Sequence, residues 1–349
     1  MIKFEKNILI RTVIVIVCGV ILFLMVYNNY DSYQRSVAKI EDVNGSGSVQ
    51  NITAVIKNGD SAGQTVHIKN KYDRSLVYDE KYHSGDQVFL NETNDGITGV
   101  KRDYLIAGAV LVLFGILVIF GGGQGGLTVI CLIMNVLLFS LMMKLYLKGR
   151  DILGLSAAAC VIFAFLVLLF INGPGRKMLI SFSATLASVA IVGLISLILI
   201  WSTKDMGYEF LDFLPEPYTT AEADHFFLAQ ILIGCIGAVM DVAVTITACS
   251  TEIINRTPGM TVKPLMVSVR EVADDITGPM INVIFFTNVA AVIPIFMISM
   301  NNDIRFTTVI RYDAFFELAR FLTGAAAVFI AIPMSVFAAS LFLKGGRSK

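Results

Sequence analysis

The sequence predicts an α-helical polytopic membrane protein of about eight transmembrane helices, with a small extracytoplasmic β-rich domain. Three observations predict it. Of 349 residues, 56% are hydrophobic and only 15% charged, and the mean hydropathy of +0.73 is far from the charge-rich surface that a water-soluble chain of this size needs. Apolar runs recur at lengths that cross a hydrocarbon core of about 30 Å. After the first of them, a polar stretch changes to the period-two alternation of strands.

The first run, Ile8–Val26, follows Lys3, Lys6 and Arg11. It is long for a signal peptide, and no small-x-small cleavage pattern precedes Tyr27–Tyr30, so residues 1–27 are expected to form a retained transmembrane signal anchor. Seven further runs at approximately 104–120, 127–146, 152–172, 178–201, 227–249, 278–299 and 315–343 make 104–349 a seven-helix transmembrane domain. Gly121, Gly122, Gly123, Gln124, Gly125 and Gly126 separate the second run from the third. A tight hairpin is expected there rather than an irregular break, because glycine-rich backbone at membrane depth has polar groups that need partners.

Positive charge in short loops sets orientation. Lys3, Lys6 and Arg11, Arg176 and Lys177, Arg256, Lys263 and Arg270, and Lys344, Arg347 and Lys349 fall on one side, expected to be the cytoplasm with both termini. The other side receives residues 28–103 and an acidic loop with Asp205, Glu209, Asp212, Glu216, Glu222 and Asp224. Lys144, Lys148 and Arg150 violate the pattern.

Residues 28–103 hold short alternating runs, Thr65–Lys69 and Gln87–Leu90 among them, divided by Gly59, Gly63, Gly85 and Gly96. That grammar predicts a small β-barrel or sandwich, with an OB-like fold as one option. The cysteines Cys18, Cys131, Cys160, Cys235 and Cys249 all lie in or beside apolar runs, so no disulfide framework, metal site or cofactor is expected. Net charge is zero and no basic patch emerges along the chain, so no nucleic-acid partner is expected. The bilayer is the expected surrounding, with a small solute or ion as the ligand.

Ionisable groups inside a bilayer cost about 2.5–3.5 kcal/mol at a helix centre, so each needs a partner or a task. Asp241 lies roughly 21 Å into the run that starts near Phe227, at 1.5 Å per residue. At helical spacing it shares one stripe with Gly234, Gly237, Thr245, Ala248 and Glu252. Such a stripe either carries a proton or cation, or lets a neighbouring helix pack closely around a hydrogen-bonded acid. No second aspartate lies deep in an apolar run, so an intramembrane aspartyl protease, and an enzyme in general, is not expected.

Residues 261–277 place Leu265, Val269, Val272 and Ile276 on one helical face, an amphipathic helix in which Arg270 can meet Asp274. Asp275, Gly278 and Asn282 then lead into the seventh run, where Asn282 and Asn288 can coordinate a cation or bond across helices. In the last run Glu317 and Arg320 are spaced for an ion pair and share a face with Gly324, while Pro333 bends the helix. Asn135 is a weaker polar candidate in the third. Gly234, Gly237, Gly278 and Gly324 are expected helix-packing positions.

These stretches carry a resemblance. Leu232–Ile246, reading LIGCIGAVMDVAVTI, is similar to the pattern G-x-x-G-A-x-M-D-V-A-x-x-I of the YibE/F family, with Glu252 matching a following glutamate. Asp275, Ile276, Thr277, Gly278 and Asn282 resemble that family's D-I-x-G-x-x-x-N, and Lys204–Phe210 and Gly324–Pro333 are looser matches. Gly63–Val66 and Gly85–Val88 resemble the extracytoplasmic domain of the YibE-type member. The resemblance implies a bacterial cytoplasmic-membrane protein of the permease kind, partnered by a YibF-like paralogue or by its own copies. The expected function is secondary transport coupled through Asp241, with Glu252, Asp275, Asn282, Asn288, Glu317 and Arg320 as further candidates. The alternative is a non-transporting scaffold or accessory subunit that binds a partner through the extracytoplasmic domain.

Overall fold

A backbone in hydrocarbon must satisfy its own hydrogen bonds, so each apolar run folds as a helix. The structure, a computed structural model, describes residues 2–45, 47–77, 79–202, 219–312 and 314–344, without the side chains of 2–8, 312 and 344. Helix α1 (Ile2–Tyr27) precedes strands β1 (Val37–Asn44), β2 (Val49–Ile56), β3 (Thr65–Lys71), β4 (Gln87–Leu90) and β5 (Ile97–Val100). Helices α2 (Asp103–Tyr146), α3 (Ile152–Asn172), α4 (Arg176–Ser202), α5 (Thr220–Arg256), α6 (Val262–Asn301), α7 (Phe306–Tyr312) and α8 (Phe315–Lys344) follow. Among the described residues, seven helices are long and apolar enough to cross a membrane. Asp205, Glu209, Asp212 and Glu216 of the expected acidic loop lie outside the described residues, as do the Lys204–Phe210 match, Arg347 and Lys349, and the side chains of Lys3, Lys6 and Lys344. The chain divides into two compact units, Met1–Val129 and Ile130–Lys349.

In the first unit the strands form an antiparallel sheet in the order β3-β2-β1-β4-β5. Three strands meander and the fourth returns to the free side of the first, a Greek-key arrangement. A closed barrel would need a ladder between β3 and β5, and none is among the described pairings. Alternation buries Ile40, Ile52, Ala54, Ile56, Ile68, Val88 and Leu90 on one face. The long β3–β4 connection is held by Gln50, whose side chain donates to the Tyr82 carbonyl at 2.8 Å and accepts from the Tyr82 amide at 3.0 Å.

Where α1, the sheet and α2 meet, Lys101 is completely buried. Its Nζ donates to the Val26 and Tyr27 carbonyls at 3.1 and 3.3 Å, the open C-terminal end of α1. It also pairs with Asp103 at 3.0 Å and lies 5.6–5.8 Å from the ring centroids of Tyr30, Tyr33 and Tyr104. Tyr33 donates its hydroxyl to the same Asp103 at 2.5 Å. Burial, followed by Asp103, raises the Tyr33 phenol above its ordinary value, so it stays a donor at neutral pH. Asn58 closes the shell from below, donating to the carbonyls of Tyr30, Tyr33 and Arg35 at 3.0–3.2 Å.

Helix α2 runs for 44 residues, about 66 Å if straight and more than twice a hydrocarbon core. It is not straight. Gly122 takes φ 58° and ψ −128°, a conformation open to glycine and strained for other residues. Gly125 abuts the Leu117 carbonyl, which a continuous helix would hold about 12 Å away. The turn expected at 121–126 is therefore a sharp reversal centred on Gly122, and α2 is two apolar arms. Glycines seven residues apart face α1 along the first arm: a side chain at Gly108 would meet Phe23 at 3.3 Å, and one at Gly115 would meet Val15 at 2.9 Å.

In the second unit, α5 packs against α3, α4, α6 and α8, and α4 against α8. The close contact between α4 and its neighbours uses small residues: Ser181, Ala184, Thr185, Ser188 and Ser196 are buried on one stripe, and Ala327, Ala331, Ser335 and Ala339 on α8. The amphipathic segment at 261–277 is continuous with the seventh run as a single 40-residue helix, α6. Its buried stripe is Leu265, Val269, Ala273 and Thr277, so Val272 and Ile276 sit at the edge of the contact.

Replacing Lys101 by Met leaves Asp103 and two carbonyls without their cation, and is expected to destabilise the first unit by about 3 kcal/mol. Hydrogen exchange should show faster opening of residues 26–37. Gly122→Ala is expected to cost roughly 1–3 kcal/mol, read as a lower thermal midpoint in detergent. Gly123→Ala, one residue away, should be nearly neutral.

Candidate functional site

Helix α5 starts at a capping box in which Thr219 and Glu222 satisfy each other's backbone amides. Along its length almost every position is buried or half-buried, with one exception. Gln230, Gly234, Gly237, Asp241, Thr245, Ala248 and Glu252 are all exposed, and successive members are three or four residues apart. This is the stripe expected from spacing, and it faces away from α3, α4, α6 and α8. Gly234 and Gly237 have no neighbour within 4 Å of where a side chain would begin. The Asp241 carboxylate has no hydrogen bond or ion pair among the described residues; the Thr245 hydroxyl reaches only the Asp241 carbonyl, at 2.9 Å. Glu252 pairs locally with Arg256 at 2.8 Å.

The α6 candidates also point outward. Asp275, Gly278 and Asn282 are exposed, opposite the buried stripe of that helix. Asn282 donates to the Gly278 carbonyl at 2.9 Å and Asn288 to the Ile284 carbonyl at 2.7 Å, so both bond their own helix rather than a neighbouring one. Arg270 and Asp274 stand 3.7 Å apart, and Arg320 pairs with Glu317 on α8. Gly324 lies against α6, with Ile284 3.2 Å from where a side chain would begin. Gly278, like the α5 glycines, has no neighbour within 4 Å of where a side chain would begin among the described residues. Asn135 donates to the Cys131 sulfur at 3.9 Å. Asp241 and Asn282 are thus on outward faces of adjacent helices, while Asn288, Glu317 and Arg320 belong to a different region between α6 and α8.

Sequence reasoning missed two features. Thr185 on α4 and Thr247 and Ser250 on α5 are buried hydroxyls without a hydrogen-bond partner among the described residues; isolated in apolar runs, they look like ordinary small packing residues. His225 of α5 stands 2.8 Å from Asp151, which also caps α3 by accepting from the Gly154 amide at 2.8 Å. The Gly154 amide first, and His225 after it, lower the Asp151 carboxyl below its ordinary value. Among the described residues no group of three or more His, Cys, Asp or Glu could hold a metal ion.

The family model of YibE/F-like protein matches residues 109–345, which include α3 to α8 and the whole stripe. The chain belongs to the YibE/F family. The model of the YibE/F family N-terminal domain matches residues 31–104, the sheet and its Lys101 junction. No curated protein and no solved structure matches this YibE/F member. With seven long apolar helices among its described residues it is a membrane protein.

The Asp151 contact has a pH signature. A carboxyl lowered in the folded state stabilises the fold above its unfolded value of 3.8, and that contribution disappears as the pH falls through the lower folded value. Asp151→Asn retains a good cap, so it isolates the charge. Wild type is expected to exceed D151N by no more than about 1 kcal/mol at neutral pH, because both partners are exposed. The gap should close below pH 3.8, as thermal midpoints across a pH series will report.

Proposed function

We propose that this YibE/F member is a secondary transporter or permease subunit whose translocation path runs along the exposed stripe of α5, with Asp241 as the proton- or cation-carrying group. One observation carries the reading: a carboxylate halfway along a membrane helix, unpaired among the described residues, on a strip of small residues, in a helix packed on its other sides. Small side chains leave room for a solute beside the acid. Glu252 and the outward Asp275 and Asn282 extend the polar surface toward one end. The opposite wall comes from a second polypeptide, a YibF-like paralogue or another copy, and the ligand is a small solute or ion. The setting is the bacterial cytoplasmic membrane, with both termini cytoplasmic and residues 28–103 outside. The reading assigns the chain no catalytic step and no cofactor.

A second reading rests on the same exposure. The stripe is a docking seam, and the chain is a non-transporting scaffold whose extracytoplasmic sheet binds a partner.

Wild type and Asp241→Asn, reconstituted with any co-purifying partner in vesicles containing a pH-sensitive dye, separate the two. Transport predicts that the variant loses proton or cation flux by about tenfold or more, roughly 1.4 kcal/mol of barrier, at unchanged assembly. Equal flux from two well-folded proteins removes the coupled-transport reading. Loss of assembly by D241N and by Gly237→Leu, with no flux from wild type, favours the seam.

A further inference from the structure

In an open sheet ordered β3-β2-β1-β4-β5, strand β3 has a paired neighbour on one side only. The Tyr72 amide donates to the Ser48 carbonyl and the Ile56 amide to the Gln64 carbonyl, both at 3.0 Å. These bonds flank an unbroken register that pairs Lys71 with Val49 and Thr65 with Val55. Antiparallel ladders alternate, so the even-numbered residues of β3 turn their backbone groups toward β2, and the amides and carbonyls of Thr65, His67, Lys69 and Lys71 point away from the sheet. Among the described residues no backbone hydrogen bond reaches them from that side. A seven-residue edge of this kind is a template for one more strand.

The same four residues carry their side chains on the outer face, opposite the buried Ile68. Lys69 and Lys71 are exposed there. Lys39 joins them from β1, because Val55 stands opposite both Lys39 and Thr65. None of these three lysines is in an ion pair among the described residues, although Lys101 pairs with Asp103, and Arg102 with Glu80, in the same unit. Asp42 also lies on this face, on β1 opposite Thr53, where it accepts from the Asn44 side chain. On the inner face the edge is apolar, since Val66 packs on the cluster that buries Ile68. A strand added to β3 therefore meets cations with one set of alternate side chains and an apolar margin with the other. A second copy of β3 fits poorly, because it brings the lysines of both edges onto one face.

We propose that the outer edge of β3 binds an extended segment of a partner polypeptide in which acidic residues alternate with apolar ones, adding it to the sheet as a further strand. Its acidic side chains meet Lys69 and Lys71, its apolar ones extend the cluster past Val66, and its backbone takes the free groups of His67 and Lys69. The lysines act twice, keeping like edges apart and selecting the partner. Such binding is the partner contact that the second reading assigns to the sheet, with its chemistry named, and it requires neither a seam on α5 nor transport.

Fluorescence anisotropy of the full chain in a neutral detergent tests this, with a labelled peptide of alternating glutamate and valine as probe. The probe is expected to bind about tenfold or more tightly than the same peptide with lysine for glutamate, and to weaken as salt is raised. Binding should protect the amides of His67 and Lys69 from hydrogen exchange and leave those of Val66 and Ile68, already bonded to β2, unchanged. Lys69→Glu combined with Lys71→Glu should reverse the preference between the two peptides. His67→Pro removes an outward amide and no ladder bond, so it should lower affinity about tenfold, whereas His67→Ala should not. Equal affinity of the two peptides for wild type overturns the proposal. So does a polyglutamate of equal charge that binds as tightly and ignores His67→Pro, which assigns the lysine face to a polyanion. Slow exchange of the outward amides before peptide is added also overturns it: dependence on protein concentration assigns the edge to a second copy, and independence assigns it to another segment of this chain. Should H67P fail to fold, the exchange pattern decides alone. Asp241→Asn is expected to bind the peptide as wild type does, so loss of flux and loss of binding report on different sites.

Discussion

Hydrocarbon offers no hydrogen bonds, and nearly every polar group in this chain is arranged around that one constraint. The spans satisfy their backbones as helices, and their hydroxyls and amides mostly bond back to the carbonyl one turn earlier. Ser156, Ser188, Ser196, Thr251, Thr277, Asn282, Asn288 and Ser335 all do so at 2.6–2.9 Å. Back-bonding makes these residues compatible with a buried or lipid-facing position without any partner helix. It also explains why α4 and α8 can be lined with serines and alanines and still pack closely. Lys101 meets the same constraint by a different route. A charge is buried whole because the end of α1 supplies carbonyls, Asp103 supplies the counter-charge and three tyrosines supply ring faces.

A carboxylate cannot use the first solution. When ionised it only accepts, and in a helix interior the amide donors are already committed to the backbone ladder. Asp241 therefore needs a partner from elsewhere, and within the described residues the chain supplies none. The positions above and below it on the stripe are glycine, threonine and alanine, too short to shield it. Glu252, by contrast, has Arg256 one turn away, and Glu317 has Arg320. The difference between these acids lies in their neighbours at i+3 and i+4, and it singles out Asp241.

Features set by neighbours along the chain were legible in the sequence. The apolar runs, the stripe on α5 and the Arg270–Asp274 and Glu317–Arg320 pairings follow from helical spacing, and the strands follow from alternation. The glycine cluster at 121–126 announced a reversal, although not that one residue, Gly122, would carry it. Features set by tertiary partners were hidden. Lys101 sits beside Arg102 and Asp103 and reads as a solvated loop charge, while its other partners are some 75 residues away. The asparagines of α6 read from sequence as cation ligands or as bonds across helices, whereas each side-chain amide donates to a carbonyl one turn back on its own helix, an acceptor that lies closer than any neighbouring helix.

The packing of α5 bears on how such a chain can work. Its buried side residues, Val239, Val242, Ala243 and Ile246, are fixed against neighbours that are themselves fixed to one another through α4 and α8. Close-packed interfaces of this kind have discrete arrangements and resist continuous deformation. A wall so held is suited to keep the Asp241 stripe in place while something opposite it moves. On the proposed reading, alternating access then resides in the element that covers the stripe, and α5 supplies the stationary half, with its acid presented at constant depth.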